Sequence, residues 1–123
     1  MNRGFYPNNQ TLYFESGLFT LTASSQVAKV RHGLPRTPQS VNWVLQCQTA
    51  EQTFTVGQEV PIEDLAANDG NNVPLFTRFQ DAVFAGLNLQ ADGMGAIDST
   101  GTTQTLTLAK WKAKCYAWIQ QPQ

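Results

Sequence analysis

The chain has 123 residues and a formal net charge of −1, the size of one domain built around one core. Charged residues make up only 14% of it, too few to build a field that recruits nucleic acid or an anionic membrane. One histidine and two cysteines exclude multi-cysteine zinc modules and disulfide-dense miniproteins. Solubility rests instead on 13 Thr, 13 Gln and 8 Asn. Thr favours strands and Asn suits turns, whereas the Lys, Glu and Arg of solvated helix faces are scarce. No apolar run approaches the ~20 residues of a membrane span, and Met1–Pro7 lacks the apolar core of a secretory signal. Synthesis in a reducing cytoplasm is therefore expected, with Cys47 and Cys115 as free thiols.

In chain order, residues 1–10 carry Phe5 and Tyr6 without periodicity and read as an N-terminal arm, its two aromatics suited to anchoring on a neighbouring subunit. Leu12–Glu15, Leu18–Ala23 and Gln26–Arg31 are short β-type runs parted by Ser16-Gly17 and Ser24-Ser25, and the latter two form a candidate hairpin. After a Gly-Pro turn at His32–Pro38, Val41, Trp43, Leu45 and Cys47 alternate with Asn42, Val44 and Gln46, predicting a strand with one face in the core. Gln58–Glu63 is a further strand in which Pro61 removes a ladder donor and dictates an edge. Ile62–Asn68 has room for one helical turn, and a turn at Asn68–Asn72 precedes a strand candidate at Val73–Phe79.

Val83, Ala85, Leu87 and Leu89 alternate again; turns at Ala91–Gly95 and Ser99–Gly101 follow, and Leu106 and Leu108 predict another strand. The closing segment places Trp111, Ala113, Cys115, Ala117 and Ile119 on one face and Lys112, Lys114, Tyr116 and Trp118 on the other. Eight or nine short strands without a long helical pattern define an all-β chain. The expected architecture is a single antiparallel β-sandwich, jelly-roll-like, over residues 11–119, with residues 120–123 as a tail.

Few residues offer chemistry. His32 is the only imidazole available to a hydrolase, and it sits in a turn with no partner identifiable from spacing. Nine carboxylates supply material for a glycosidase pair, but spacing in sequence does not set their separation. Asp64–Asn72 is rich in oxygen ligands, yet Leu65 and Ala67 occupy alternate positions where a calcium loop needs donors. No phosphate-binding glycine loop is present. The two cysteines fall on inward faces and read as small core residues. Lys112, Lys114, Tyr116 and Trp118 share an outward face and form a candidate glycan platform. Neither a metal site nor a cofactor is expected.

The succession His32-Gly33-Leu34 with Pro38, Val41-Asn42-Trp43-Val44-Leu45-Gln46-Cys47, Gly57-Gln58-Glu59-Val60, and Leu108-Ala109-Lys110-Trp111-Lys112 leading to Trp118 resembles small β-sandwich domains of bacteriophage virion proteins. Such domains occur in tail fibres, head fibres and capsid-decorating proteins. The resemblance spans roughly residues 26 to 119. It implies a non-enzymatic structural role in the virion, with major capsid or tail proteins as partners and no catalytic residue or cofactor to carry over. A homo-trimer and a capsid-bound monomer both fit that role. The chain lacks coiled-coil heptads and repeats, which favours a decoration or short accessory protein over a long fibre. The alternative expectation is a glycan-binding adhesin domain.

Overall fold

A computed structural model describes residues 11–21, 24–67, 76–90 and 94–120. The arm with Phe5 and Tyr6, the turn at Asn68–Asn72 and the tail residues 121–123 lie outside the described residues. Eleven strands are described, in chain order β1 (Thr11–Glu15), β2 (Phe19–Thr20), β3 (Ser24–Arg31), β4 (Ser40–Cys47), β5 (Glu59–Pro61), β6 (Ala66–Ala67), β7 (Phe76–Gln80), β8 (Phe84–Gln90), β9 (Met94–Ile97), β10 (Thr103–Thr105) and β11 (Trp111–Gln120). They form three antiparallel sheets that pack together: β1-β11-β4-β5 with β2 also on β11, β3-β8-β7, and β10-β9-β6. The all-β, sandwich-like single domain expected from the alternation is what the chain adopts.

The longest strand, β11, organises the first sheet. Its alternation is complete, with Trp111, Ala113, Cys115, Ala117 and Ile119 all buried and the residues between them partly exposed. On one side it pairs with β4 from Trp111↔Cys47 to Trp118↔Ser40, so Trp43, Leu45 and Cys47 join the same inward face. On the other side β1 pairs with Tyr116–Gln120 and β2 with Lys112–Ala113. Ser16 closes the gap between those two short strands. Its N–H donates to the Cys115 carbonyl at 2.9 Å, and its Oγ accepts the Cys115 N–H at 2.9 Å. A Ser-Gly that separates strands in sequence thus keeps the ladder satisfied where a buried backbone pair would otherwise be orphaned.

Small residues on β11 leave room for large ones opposite. Ala113, Cys115 and Ala117 share a core with Trp43, Leu45, Ile62, Leu87 and Leu89, all buried. That core joins the five-stranded sheet to the other two through Ala85, Leu87 and Leu89 of β8 and Ala96 of β9. The β3-β8-β7 sheet contains a close approach. Gly86 lies opposite Phe79 in the register, and a Cβ on it would lie 2.0 Å from Phe79 Cζ, so the Phe79 ring covers the glycine directly.

Pro61 does mark an edge, since β5 pairs only with β4. Four expectations need correction. The runs around Leu18–Ala23 and Gln26–Arg31 do not pair as a hairpin. β2 joins β11 while β3 joins β8, so the two runs belong to different sheets. Leu106 and Leu108 do not continue a strand, because the Thr107 N–H and hydroxyl bind the Glu51 carboxylate and a 3-10 turn closes over Leu108–Lys110. The turn after β5 spans only Ile62–Asp64 before β6 begins. Val83 precedes its strand, its N–H held by Asp81 Oδ1 at 2.8 Å.

Candidate binding surface

Lys112, Lys114, Tyr116 and Trp118 all lie on the outward face of the five-stranded sheet, as alternation requires. The register places Glu15 beside Tyr116 and Tyr13 beside Trp118 on β1, while Asn42 and Ser40 flank the same two residues on β4. Tyr13 and Tyr116 stack with ring centroids 6.4 Å apart at 28°. Tyr13 is 57% exposed and offers the most accessible ring of the face.

The face is held by a short network of charged hydrogen bonds. Lys114 Nζ lies 2.5 Å from Glu15 Oε2 and 5.4 Å from the Tyr116 ring centroid. That hydrogen bond to Glu15 raises the Lys114 pKa and lowers that of Glu15. Tyr116 donates its hydroxyl to Glu59 Oε2 at 2.5 Å, and Gln46 Nε2 donates to the same oxygen at 3.1 Å. Burial and the adjoining Glu59 carboxylate push the Tyr116 hydroxyl far above its ordinary value, so it remains a donor. The hydroxyls of both tyrosines thus donate to carboxylates, Tyr13 to Glu15 of β1 and Tyr116 to Glu59 of β5. Sequence reasoning found the four residues of β11 and missed Tyr13, Glu15 and Glu59. The i, i+2 spacing of Tyr13 and Glu15 puts them on one face, but nothing in sequence names β11 as their neighbour.

The residues singled out for chemistry are committed elsewhere. His32 is buried; its Nε2 donates to the Asp81 carbonyl at 2.9 Å and its Nδ1 accepts the Leu34 N–H at 3.0 Å. The Nδ1 bond thus stays within the His32–Pro38 turn, and the Nε2 bond ties that turn to the β7–β8 hairpin. Asp81 Oδ1 accepts the Val83 and Phe84 N–H groups at 2.8 and 2.7 Å, which lowers its pKa. Asp98 accepts the Thr100 hydroxyl at 2.6 Å, the Gln104 amide at 2.8 Å and the Thr100 and Thr102 N–H groups. The first two of these bonds do most to pull its pKa far down, and Gly101 completes the turn at φ +85°.

Glu51 is the least expected of these. It is buried and accepts from Trp111 Nε1 at 2.6 Å, the Thr107 N–H at 3.0 Å and the Thr107 hydroxyl at 2.8 Å. Burial alone would raise its pKa, but those three donors outweigh it and the net shift is downward. Its backbone pairs with Phe54 in both directions across a tight turn that holds Gln52 at φ +54°. Phe54 in turn packs edge-on against Trp111 at 5.2 Å.

Both cysteines are free and buried. Cys47 lies opposite Trp111 and Cys115 opposite Trp43, four register positions apart, about 13 Å along the strands. Burial pushes the Cys115 thiol up to about 12 and raises that of Cys47. Among the described residues no three His, Cys, Asp or Glu side chains converge, and no helix is long and apolar enough to cross a membrane. Comparison of the chain with protein-family models, curated proteins and solved structures finds no match.

Proposed function

We propose that this chain is a non-enzymatic structural protein of a bacteriophage virion, a capsid-decorating or accessory head or tail protein that binds neighbouring subunits through preformed surfaces. The observation that carries the reading is the outward face of β1, β11, β4 and β5. Tyr13 and Tyr116 are stacked there and fixed by Glu15, Lys114 and Glu59, so a partner meets rings already in place. Preorganised aromatic rings on a sheet face suit protein–protein contact, because little side-chain freedom remains to be lost on binding. The commitment of His32, Asp81, Asp98 and Glu51 to turns and loops agrees with a role that draws on shape. Repetition on a symmetric particle would add avidity to each modest contact.

The test is co-sedimentation of the purified chain with capsids and with tails. Wild type is expected in the pellet, and Tyr13→Ala is expected to reduce the bound fraction while leaving far-UV circular dichroism unchanged. Deletion of residues 1–10 separates the arm with Phe5 and Tyr6 from the sheet face, since only an arm contact is lost with it. No pelleting with either particle would overturn the reading. A second reading, glycan binding at the same face, is favoured by the 57% exposure of the Tyr13 ring beside Lys114 and Trp118. Glycan-array binding abolished by Trp118→Ala in a folded variant would select it.

A further inference from the structure

We infer that copies of this chain associate head to tail, a basic and aromatic knob on β3 and β8 of one copy seating in an acidic groove between β5 and β9 of the next. The inference goes beyond the particle-binding reading and does not require it.

The knob lies on the outward face of the β3-β8-β7 sheet. Lys29 Nζ sits 4.3 Å and Arg31 Cζ 5.2 Å from the Phe84 ring centroid, and the register places Arg31 directly beside Phe84. Both cations are exposed, and neither makes an ion pair among the described residues. The carboxylate that acts on Lys29 is Asp81, whose Oδ1 is already engaged by the Val83 and Phe84 N–H groups. Val83, 38% exposed, extends the apolar part of the knob. Charged side chains on an edge strand discourage strand-to-strand pairing, so a contact here is made by side chains.

The groove has a volume of about 350 Å³ and mirrors that composition. Phe54, Val60, Ala96 and Ile97 supply apolar walls, and Glu59 and Asp64 supply carboxylates. Among the described residues Glu59 accepts from the neutral Tyr116 hydroxyl and Gln46 amide and feels Lys114 only at a distance, and neither Glu59 nor Asp64 makes an ion pair. Ile97 is 65% exposed at the rim. Two cations beside apolar side chains therefore face two carboxylates beside apolar side chains. The long aliphatic stems and charged heads of Lys and Arg suit a groove lined by both apolar and anionic residues. Because knob and groove belong to different sheets, each copy offers both, and the head-to-tail contact closes into a ring or continues as a filament.

Sedimentation equilibrium of the full chain from roughly 10 to 500 μM tests this, a range chosen to cover weak association. The average mass is expected to rise above 13.6 kDa with concentration at low salt and to fall back in added salt. Charge reversal in Lys29→Glu/Arg31→Glu, or in Asp64→Arg, is expected to weaken association at least about tenfold. Mixing the two variants is expected to restore a heterologous pair, since the reversed knob then matches the reversed groove. A monomer at every concentration, variants that associate like wild type, or a mixture that stays monomeric would each overturn the inference. Circular dichroism verifies folding; should a reversal unfold the chain, Lys29→Gln/Arg31→Gln and Asp64→Asn provide the same comparison.

Discussion

Two tryptophans, both buried, differ in one respect that a matched pair of substitutions can isolate. Trp111 donates its indole N–H to the Glu51 carboxylate at 2.6 Å, whereas the Trp43 indole N–H has no hydrogen-bond partner among the described residues. Replacing either with Phe removes the same atoms and leaves a similar void, costing about 1–2 kcal/mol in packing. For Trp111→Phe the lost bond to a charged acceptor adds about 1.5–3 kcal/mol. For Trp43→Phe the removal of an unsatisfied buried donor returns about 1–3 kcal/mol, which offsets the packing loss. The expected totals are a loss of about 2.5–5 kcal/mol for Trp111→Phe and a change between a loss of about 1 and a gain of about 2 kcal/mol for Trp43→Phe.

Urea unfolding followed by far-UV circular dichroism measures both, and avoids tryptophan fluorescence, which the substitutions themselves alter. A gap of about 3 kcal/mol corresponds to roughly 10 °C in Tm for a chain of this size. The comparison is valid if the denaturant slope m is the same in all three proteins, because a changed slope signals a changed denatured state. Equal losses, or a larger loss for Trp43→Phe, would refute the assignment of the Glu51–Trp111 bond as the stronger determinant of stability.

Glu51→Ala is expected to destabilise by about 3–5 kcal/mol because it strands the Trp111 indole and both Thr107 donors, while Glu51→Gln keeps an acceptor and costs about 1 kcal/mol in the same urea assay. The Glu51 pKa is lowered from 4.5 in the fold, so its contribution is complete above that value and is lost as pH falls through the lower folded value; Glu51→Gln should flatten this part of the acid stability profile. Gly86→Ala is expected to cost about 1–3 kcal/mol as Phe79 is forced off the strand. Adding Phe79→Ala should recover part of that loss, and strict additivity would contradict the close approach. Ser16→Ala is expected to cost about 1–2 kcal/mol and to speed hydrogen exchange at the Cys115 amide, the group its hydroxyl accepts.

Much of the fold was legible because strands buried on one face write their period into the sequence. Val41–Cys47 and Trp111–Ile119 show this best, and both form strands with the expected inward faces. Pro61 marked an edge through its missing donor. What the sequence did not reveal depends on pairings between distant segments. Leu106–Leu108 carries a strand pattern, yet the backbone there bends because Thr107 binds a carboxylate 56 positions earlier. The candidate surface was half visible for the same reason: alternation groups Lys112, Lys114, Tyr116 and Trp118, but the partners that fix them come from β1 and β5 through register alone.

The scarcity of charge gives those few carboxylates their weight. A chain with abundant Lys and Glu places most of them on solvated surfaces, where an ion pair contributes little to stability. Here Glu51, Asp81 and Asp98 each accept backbone N–H groups and hold a loop or hairpin end: Glu51 ties its loop to β11, Asp81 starts β8, and Asp98 closes the β9–β10 hairpin. All three have lowered pKa values, so their contributions carry one sign and acid weakens them together. The inward groups of the β11–β4 ladder are themselves alkyl, indole and protonated thiol, so acid acts on that ladder through the Glu51–Trp111 bond at one end and leaves the rest unchanged. Acid should therefore loosen loops and hairpin ends before it dissolves the five-stranded sheet. The same division separates the two sides of the five-stranded sheet: the apolar ladder shapes its inward face, while ionised side chains such as Glu15, Lys114 and Glu59 organise its outward one.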